Sequence, residues 1–168
     1  MRKLILGAAL ALILPGVAAA APKEPTAADL ARAACKTEKH DMGTKLFKQT
    51  YAAKSTAKAM RACVAKTVPV VEQEAQNASQ ACRAERDADR EAFAEKYGTN
   101  RNNRNAFGKC VSTTTREATQ EQAEDRVNAA KTCKAAKRDD ADAFAEEWGS
   151  RRNAFGKCVS ATAKAAAE

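Results

Sequence analysis

The chain has 168 residues, with 29 Lys and Arg against 21 Asp and Glu, a formal net charge of +8. That length holds one domain or a short array of small units, and the basic balance draws anionic partners such as wall polymers, nucleic acid or acidic lipid headgroups. One histidine beside six cysteines excludes a usual zinc site once the cysteines pair, and no C-x-x-C, G-x-S-x-G, Walker or H-E-x-x-H pattern is present. We therefore expect no metal, no cofactor and no enzymatic activity.

The N-terminus reads as a secretory signal peptide. Met1-Arg2-Lys3 is a short positive region, Leu4 to Leu14 is uncharged and apolar, and Pro15-Gly16 precede the small residues Val17-Ala18-Ala19-Ala20. Cleavage is expected after Ala20, because a cut one residue later would leave Pro22 at the first mature position. The apolar run is shorter than the roughly 20 residues of a spanning helix, and no cysteine stands directly after the cleavage region to carry a lipid anchor. Residues 21–168 remain, and losing Arg2 and Lys3 takes the net charge from +8 to +6. All six cysteines lie in this part, and an even count in an exported chain argues for disulfides.

After a lead-in at 21–34, one cysteine-bearing unit occurs three times. The first copy, 35–68, is degenerate: Ala34-Cys35-Lys36, then Phe47 to Tyr51, then Met60-Arg61-Ala62-Cys63-Val64. The second, with a preceding helix, occupies 69–115. It carries Ala81-Cys82-Arg83, Ala92-Phe93-Ala94-Glu95-Lys96-Tyr97-Gly98 and Asn105-Ala106-Phe107-Gly108-Lys109-Cys110-Val111-Ser112. The third, 116–168, repeats this as Thr132-Cys133-Lys134, Ala143-Phe144-Ala145-Glu146-Glu147-Trp148-Gly149 and Asn153-Ala154-Phe155-Gly156-Lys157-Cys158-Val159-Ser160.

The spacings predict helices. Phe47, Phe93 and Phe144 stand 12, 11 and 11 residues after the first cysteine, and the next aromatic always follows four residues on. Met60, Phe107 or Phe155 precedes the second cysteine by three. Between copies two and three only the loop after the aromatic changes length, by three residues, so each unit reads as helix, loop, helix. The Ala-, Glu-, Lys- and Arg-rich composition favours helix, and strand alternation is absent. Asp87, Asp89, Asp139 and Asp140 are candidate caps of a short helix carrying the Phe, with Thr44 after Gly43 as the counterpart in copy one. Gly98 and Gly149 sit where a helix stops in a left-handed conformation. Pro69 suits the first turn of a helix from about Val70 through Cys82, and Thr114 with Glu117 has the spacing of a helix restart.

The apolar stripes are thin: Val71, Ala75, Ala78 and Cys82 on one helix, and Ala123, Val127, Ala130 and Cys133 on the next. Alanine buries little area, so each copy reads as a miniature core that needs a staple. We expect Cys35–Cys63, Cys82–Cys110 and Cys133–Cys158. A straight helix from Cys133 to Trp148 is about 22 Å long, and the loop returns roughly 16 Å, so a bend at Asp139-Asp140 is expected. Pairing across the links is disfavoured, since a helix from Cys110 to Cys133 holds them about 35 Å apart. The fold class is therefore all-α: three tandem disulfide-stapled helix-loop-helix repeats joined by helical links.

The run from Tyr97 to Ser112, echoed from Trp148 to Ser160, resembles a cysteine repeat of small secreted actinobacterial proteins. In that group the unit follows a signal peptide and recurs in tandem. The resemblance covers copies two and three, while copy one lacks the Gly-Asn loop. It implies export and a repeat architecture, and it carries over no functional residue.

Two basic loops are the candidate binding elements. Lys96, Arg101, Arg104 and Lys109 surround Asn100, Asn102 and Asn103 in copy two, and Arg151, Arg152 and Lys157 stand in copy three. They suit an anionic polymer, with the helix starting near Asn105 offering free amides. The plainer reading is solvated turns with asparagine chosen for its backbone, and Glu91, Glu95, Glu146 and Glu147 nearby weaken any field. Carboxylates elsewhere are expected to pair with Lys or Arg four residues away. The resulting expectation is a secreted, non-catalytic interaction module of the cell envelope or exterior, with anionic-polymer binding as the alternative. The identity of a partner and the oligomeric state stay open.

Overall fold

A computed structural model of the chain describes residues 24–167. The leader read at 1–20 lies outside them. The described residues form six helices and no strand: α1 (Ala27–Thr50), α2 (Thr56–Ala88), α3 (Arg90–Tyr97), α4 (Ala106–Asp139), α5 (Ala141–Trp148) and α6 (Ala154–Ala166). No helix among them is long and apolar enough to cross a membrane.

Each unit breaks its first helix soon after the first cysteine. Asp89 and Asp140 leave helical geometry at φ −151° and −147°. Their carboxylates then cap α3 and α5: Asp89 accepts from the amides of Glu91 and Ala92 at 3.1 and 3.0 Å, and Asp140 from Asp142 and Ala143 at 3.1 and 2.9 Å. Such a cap contributes about 1 kcal/mol. In copy one the break falls at Gly43, with φ 76° and ψ 155°, so α1 is two helical segments, and Thr44 makes no cap hydrogen bond among the described residues. The bend folds the Phe-bearing segment back, so the disulfides close within units: Cys35–Cys63, Cys82–Cys110 and Cys133–Cys158, with Cα–Cα distances of 6.0, 6.1 and 6.1 Å.

Several local expectations are corrected. Pro69 does not open a helix but lies inside the continuous α2. Thr67 and Val71 on either side are buried, while Pro69 and Ala65 are exposed, so water can serve the carbonyl that proline leaves without an amide. α4 does not restart at Thr114: the buried face runs on through Thr115, Thr119, Ala123 and Val127, and the Thr119 hydroxyl donates to the Thr115 carbonyl at 2.7 Å. Gly149 takes a positive φ of 89°, but Gly98 does not, at φ −69°. Gly98 is needed for space instead, since a Cβ there would collide with the Ala94 carbonyl and the Asn103 side chain. The ion pairs Arg86–Asp87, Arg138–Asp139, Lys96–Glu85 and Arg126–Glu38 do not follow a spacing of four.

The three copies do not keep three separate interiors. Phe47, Tyr51, Val127, Phe144, Phe155 and Val159 lie in one core with the disulfides of copies one and three. Copy two has its own small core of Cys82, Phe93, Ala106 and Cys110, flanked by Tyr97, Phe107 and Val111. Long helices α2 and α4 run antiparallel between the two, tied at Cys82–Cys110 and, further along, by the Gln122 amide donating to Glu74 at 2.8 Å. α6 lies close on the end of α1, where a Cβ on Gly156 would stand 2.5 Å from the Thr50 carbonyl.

Candidate anion-binding site

The repeat places a side chain three residues after each first cysteine: Glu38, Glu85 and Ala136. It also places an aromatic after each Phe: Tyr51, Tyr97 and Trp148. The phenol of Tyr51 donates to Glu38 Oε2 at 2.6 Å, and that of Tyr97 to Glu85 Oε2 at 3.0 Å. Where the aromatic is Trp148, the carboxylate is replaced by alanine. The polar pair is thus present or absent as a whole.

Its two instances differ in surroundings. Glu85 takes the ammonium of Lys96 at 2.7 Å, and both are solvent-exposed side chains. That hydrogen bond holds the Glu85 carboxyl below the usual range and raises Lys96 above its own. Glu38 is fully buried, and its counter-charge comes from α4: Arg126 Nε donates to Oε1 at 2.7 Å, with Nη2 in ion-pair contact with the same oxygen at 2.6 Å. Burial first, then the Glu38 charge and hydrogen bond, push the Tyr51 phenol far above its ordinary value. Cys35, Glu38 and Cys63 bring potential metal-ligating atoms within 4.8 Å of one another. However, the two sulfurs are bonded to each other and the carboxylate is occupied by Tyr51 and Arg126. This cluster is a lock that sets α1 against α4.

The lock brings the second segment of α1 beside the end of α4 and the α5–α6 loop. Between them lies a cleft of about 510 Å³, lined by Lys45, Lys48, Gln49, Ala52, Ala53, Lys54, Lys137, Ser150, Arg151, Arg152 and Phe155. Six of these are cations, from four stretches of chain, and none is a carboxylate. A hollow of about 470 Å³ adjoins it, sharing Lys45, Gln49, Lys137 and Phe155 and adding Lys134 and Arg138. Beyond Ala52 a third, of about 510 Å³, is lined by Lys66, Asn153, Lys157 and Lys164 among others. The Lys137 ammonium sits 5.7 Å from the Phe144 ring centre and that of Lys66 6.0 Å from that of Tyr51, so buried rings seat two of the cations.

The predicted loop residues divide between two places. Arg151 and Arg152 line the main cleft and Lys157 the third hollow. Arg104 lies in a separate hollow with Arg86 and Arg90 on unit two, Arg101 and Lys109 are exposed there, and Lys96 is engaged by Glu85. The two loops stand at opposite ends of α4, roughly 45 Å apart at its helical rise. In unit two the asparagines serve the turn. Asn105 donates to the Thr99 hydroxyl at 2.6 Å and accepts from the Thr99 amide, Asn102 accepts from the Arg104 amide at 3.3 Å, and Asn103 has φ 53°. The amides of Ala106 and Ala154 bond to the Asn103 and Arg151 carbonyls at 3.0 and 2.9 Å, so these two are not available to an anion, while Asn105 and Asn153 make no side-chain cap to the rest of either first turn.

Lys45, Lys48, Lys54 and Lys137 lie outside the two basic loops that the sequence marks as candidates. A signal was there: residues 42–71 hold six basic residues and no acidic one, and 148–167 hold four and none. The fold sets these two acid-free stretches side by side. Compared with known proteins, the chain matches no family profile, no curated protein and no solved structure.

Proposed function

We propose that the protein is an exported, non-catalytic binding protein that holds an anionic polymer in the cleft between units one and three. The observation that carries this is the set of six cations around one cleft with no carboxylate among its lining residues. Like charges so gathered repel one another and are relieved by an anion. Export accords with the leader-like N-terminus and with three disulfides, which persist in oxidising compartments. The non-catalytic reading rests on the sequence, which carries no catalytic motif.

The test is retention of the mature, oxidised chain on an anionic matrix such as heparin across a salt gradient. Replacing Lys45, Lys137, Arg151 and Arg152 with Ser should bring elution to clearly lower salt, while Arg101→Ser with Arg104→Ser should move it little. Affinity should fall steeply as salt rises, because each neutralised anionic group releases counterions. Absence of retention, retention indifferent to salt, or equal effects of the two variants would defeat the proposal.

A further inference from the structure

Granted the anion-binding reading, we infer that the occupant is a single unpaired chain of repeating phosphates carrying no bases, the chemistry shared by inorganic polyphosphate and polyol-phosphate polymers. Three features lead there. First, the site is a track: the central cleft shares Lys45 and Lys137 with one neighbour and meets the other at Ala52. Second, no Asp or Glu lines any of the three hollows, so an anionic chain meets charge of the opposite sign along its whole path. Evenly spaced anions suit such a path better than one multiply charged small molecule, which would fill a single hollow.

Third, the track offers nothing to a base. Unpaired nucleic acid is held partly by stacking on exposed aromatic faces. The rings here are Phe155 and Tyr51, only 5 and 9 % exposed, and each is packed into the shared core. Hollows of about 470–510 Å³ between helices admit one thin chain. A duplex presents its phosphates on a broad convex surface and would meet only the rims.

The experiment is calorimetric titration of the mature, oxidised chain at matched ionic strength with four probes: medium-chain inorganic polyphosphate, poly(glycerol phosphate), oligothymidylate of equal charge, and tripolyphosphate. At least one of the two base-free polymers should bind about tenfold or more tighter than oligothymidylate and than tripolyphosphate. The tighter of the two identifies the source of the phosphate. If about five phosphates are contacted, the single-strand salt slope implies a roughly 100-fold loss of affinity between 50 and 200 mM salt. Lys45→Ser with Lys137→Ser, at the junction of two hollows, should erase most of the advantage of the long chain over tripolyphosphate. Oligothymidylate binding as tightly as both base-free polymers, or tripolyphosphate matching the long chains, overturns the inference and leaves anion binding standing. Failure of every probe, together with no retention on heparin, overturns both.

Discussion

Replacing Arg126 with methionine keeps much of the side-chain volume and removes the charge that faces Glu38. Glu38 stays at 0 % exposure with one remaining donor, the Tyr51 hydroxyl at 2.6 Å. Removing one partner of a buried ion pair costs about 3–5 kcal/mol, because the other charge has lost its counter-ion without regaining water. The Arg126 side chain is 19 % exposed, so some water can enter the vacated space, which favours the lower end. For a chain of this size each kcal/mol moves the melting midpoint by roughly 2–4 °C, so a loss near 3 kcal/mol lowers it by roughly 6–12 °C. Thermal melts followed by circular dichroism provide the assay. The double variant Glu38→Gln, Arg126→Met should recover much of the loss, since no charge is then left buried. Lys96→Met removes the equivalent cation from the exposed Glu85 and should melt with the native chain. An Arg126→Met midpoint within about 2 °C of the native one, or additive losses in the double variant, would refute the lock.

Two further outcomes follow from the same geometry. The folded chain keeps Tyr51 protonated above pH 10, where an unfolded chain ionises it. Its contribution is therefore complete below pH 10 and is lost above it at about 1.4 kcal/mol per pH unit. Midpoints measured between pH 9 and 11 should fall more steeply for the native chain than for Tyr51→Phe, and parallel curves would contradict this. Replacing Cys82 and Cys110 with Ser removes a link across 28 residues, worth about 3.6 kcal/mol in the chain-entropy account. Hydrogen exchange should then show α3 and the ends of α2 and α4 losing protection while the core shared by units one and three keeps it, and uniform loss would mean that unit two is no separate body.

The repeat made much of the fold legible. A unit written three times gives its own boundaries, its variable loop and the partner of each cysteine, and the reach of a straight helix already required a bend near Asp140. What stayed hidden depends on contacts between units. Glu38 and Arg126 are 88 residues apart, and each reads as an ordinary charge on a helical surface. Alanine stripes show that a face is buried without showing against which neighbour, so the merging of units one and three could not be read from them. Gly98 and Gly149 hold the same motif position, yet one is required by crowding and the other by its backbone angle. Sequence pattern alone does not separate those causes. For the cleft, Arg151, Arg152 and Lys157 stand out as a basic run, whereas the copy-one lysines lie where the repeat motif is weakest and no repeat pattern marks them.

Unit two, with an interior of its own at the far end of paired helices, gives the molecule an outrigger. A fluorophore or affinity tag joined between Asn100 and Asn103 rides at that tip, a long helix away from Arg151 and Arg152. Such a reporter leaves the basic groove untouched, and it turns the tip's distance from a captured chain into a ruler for where that chain lies.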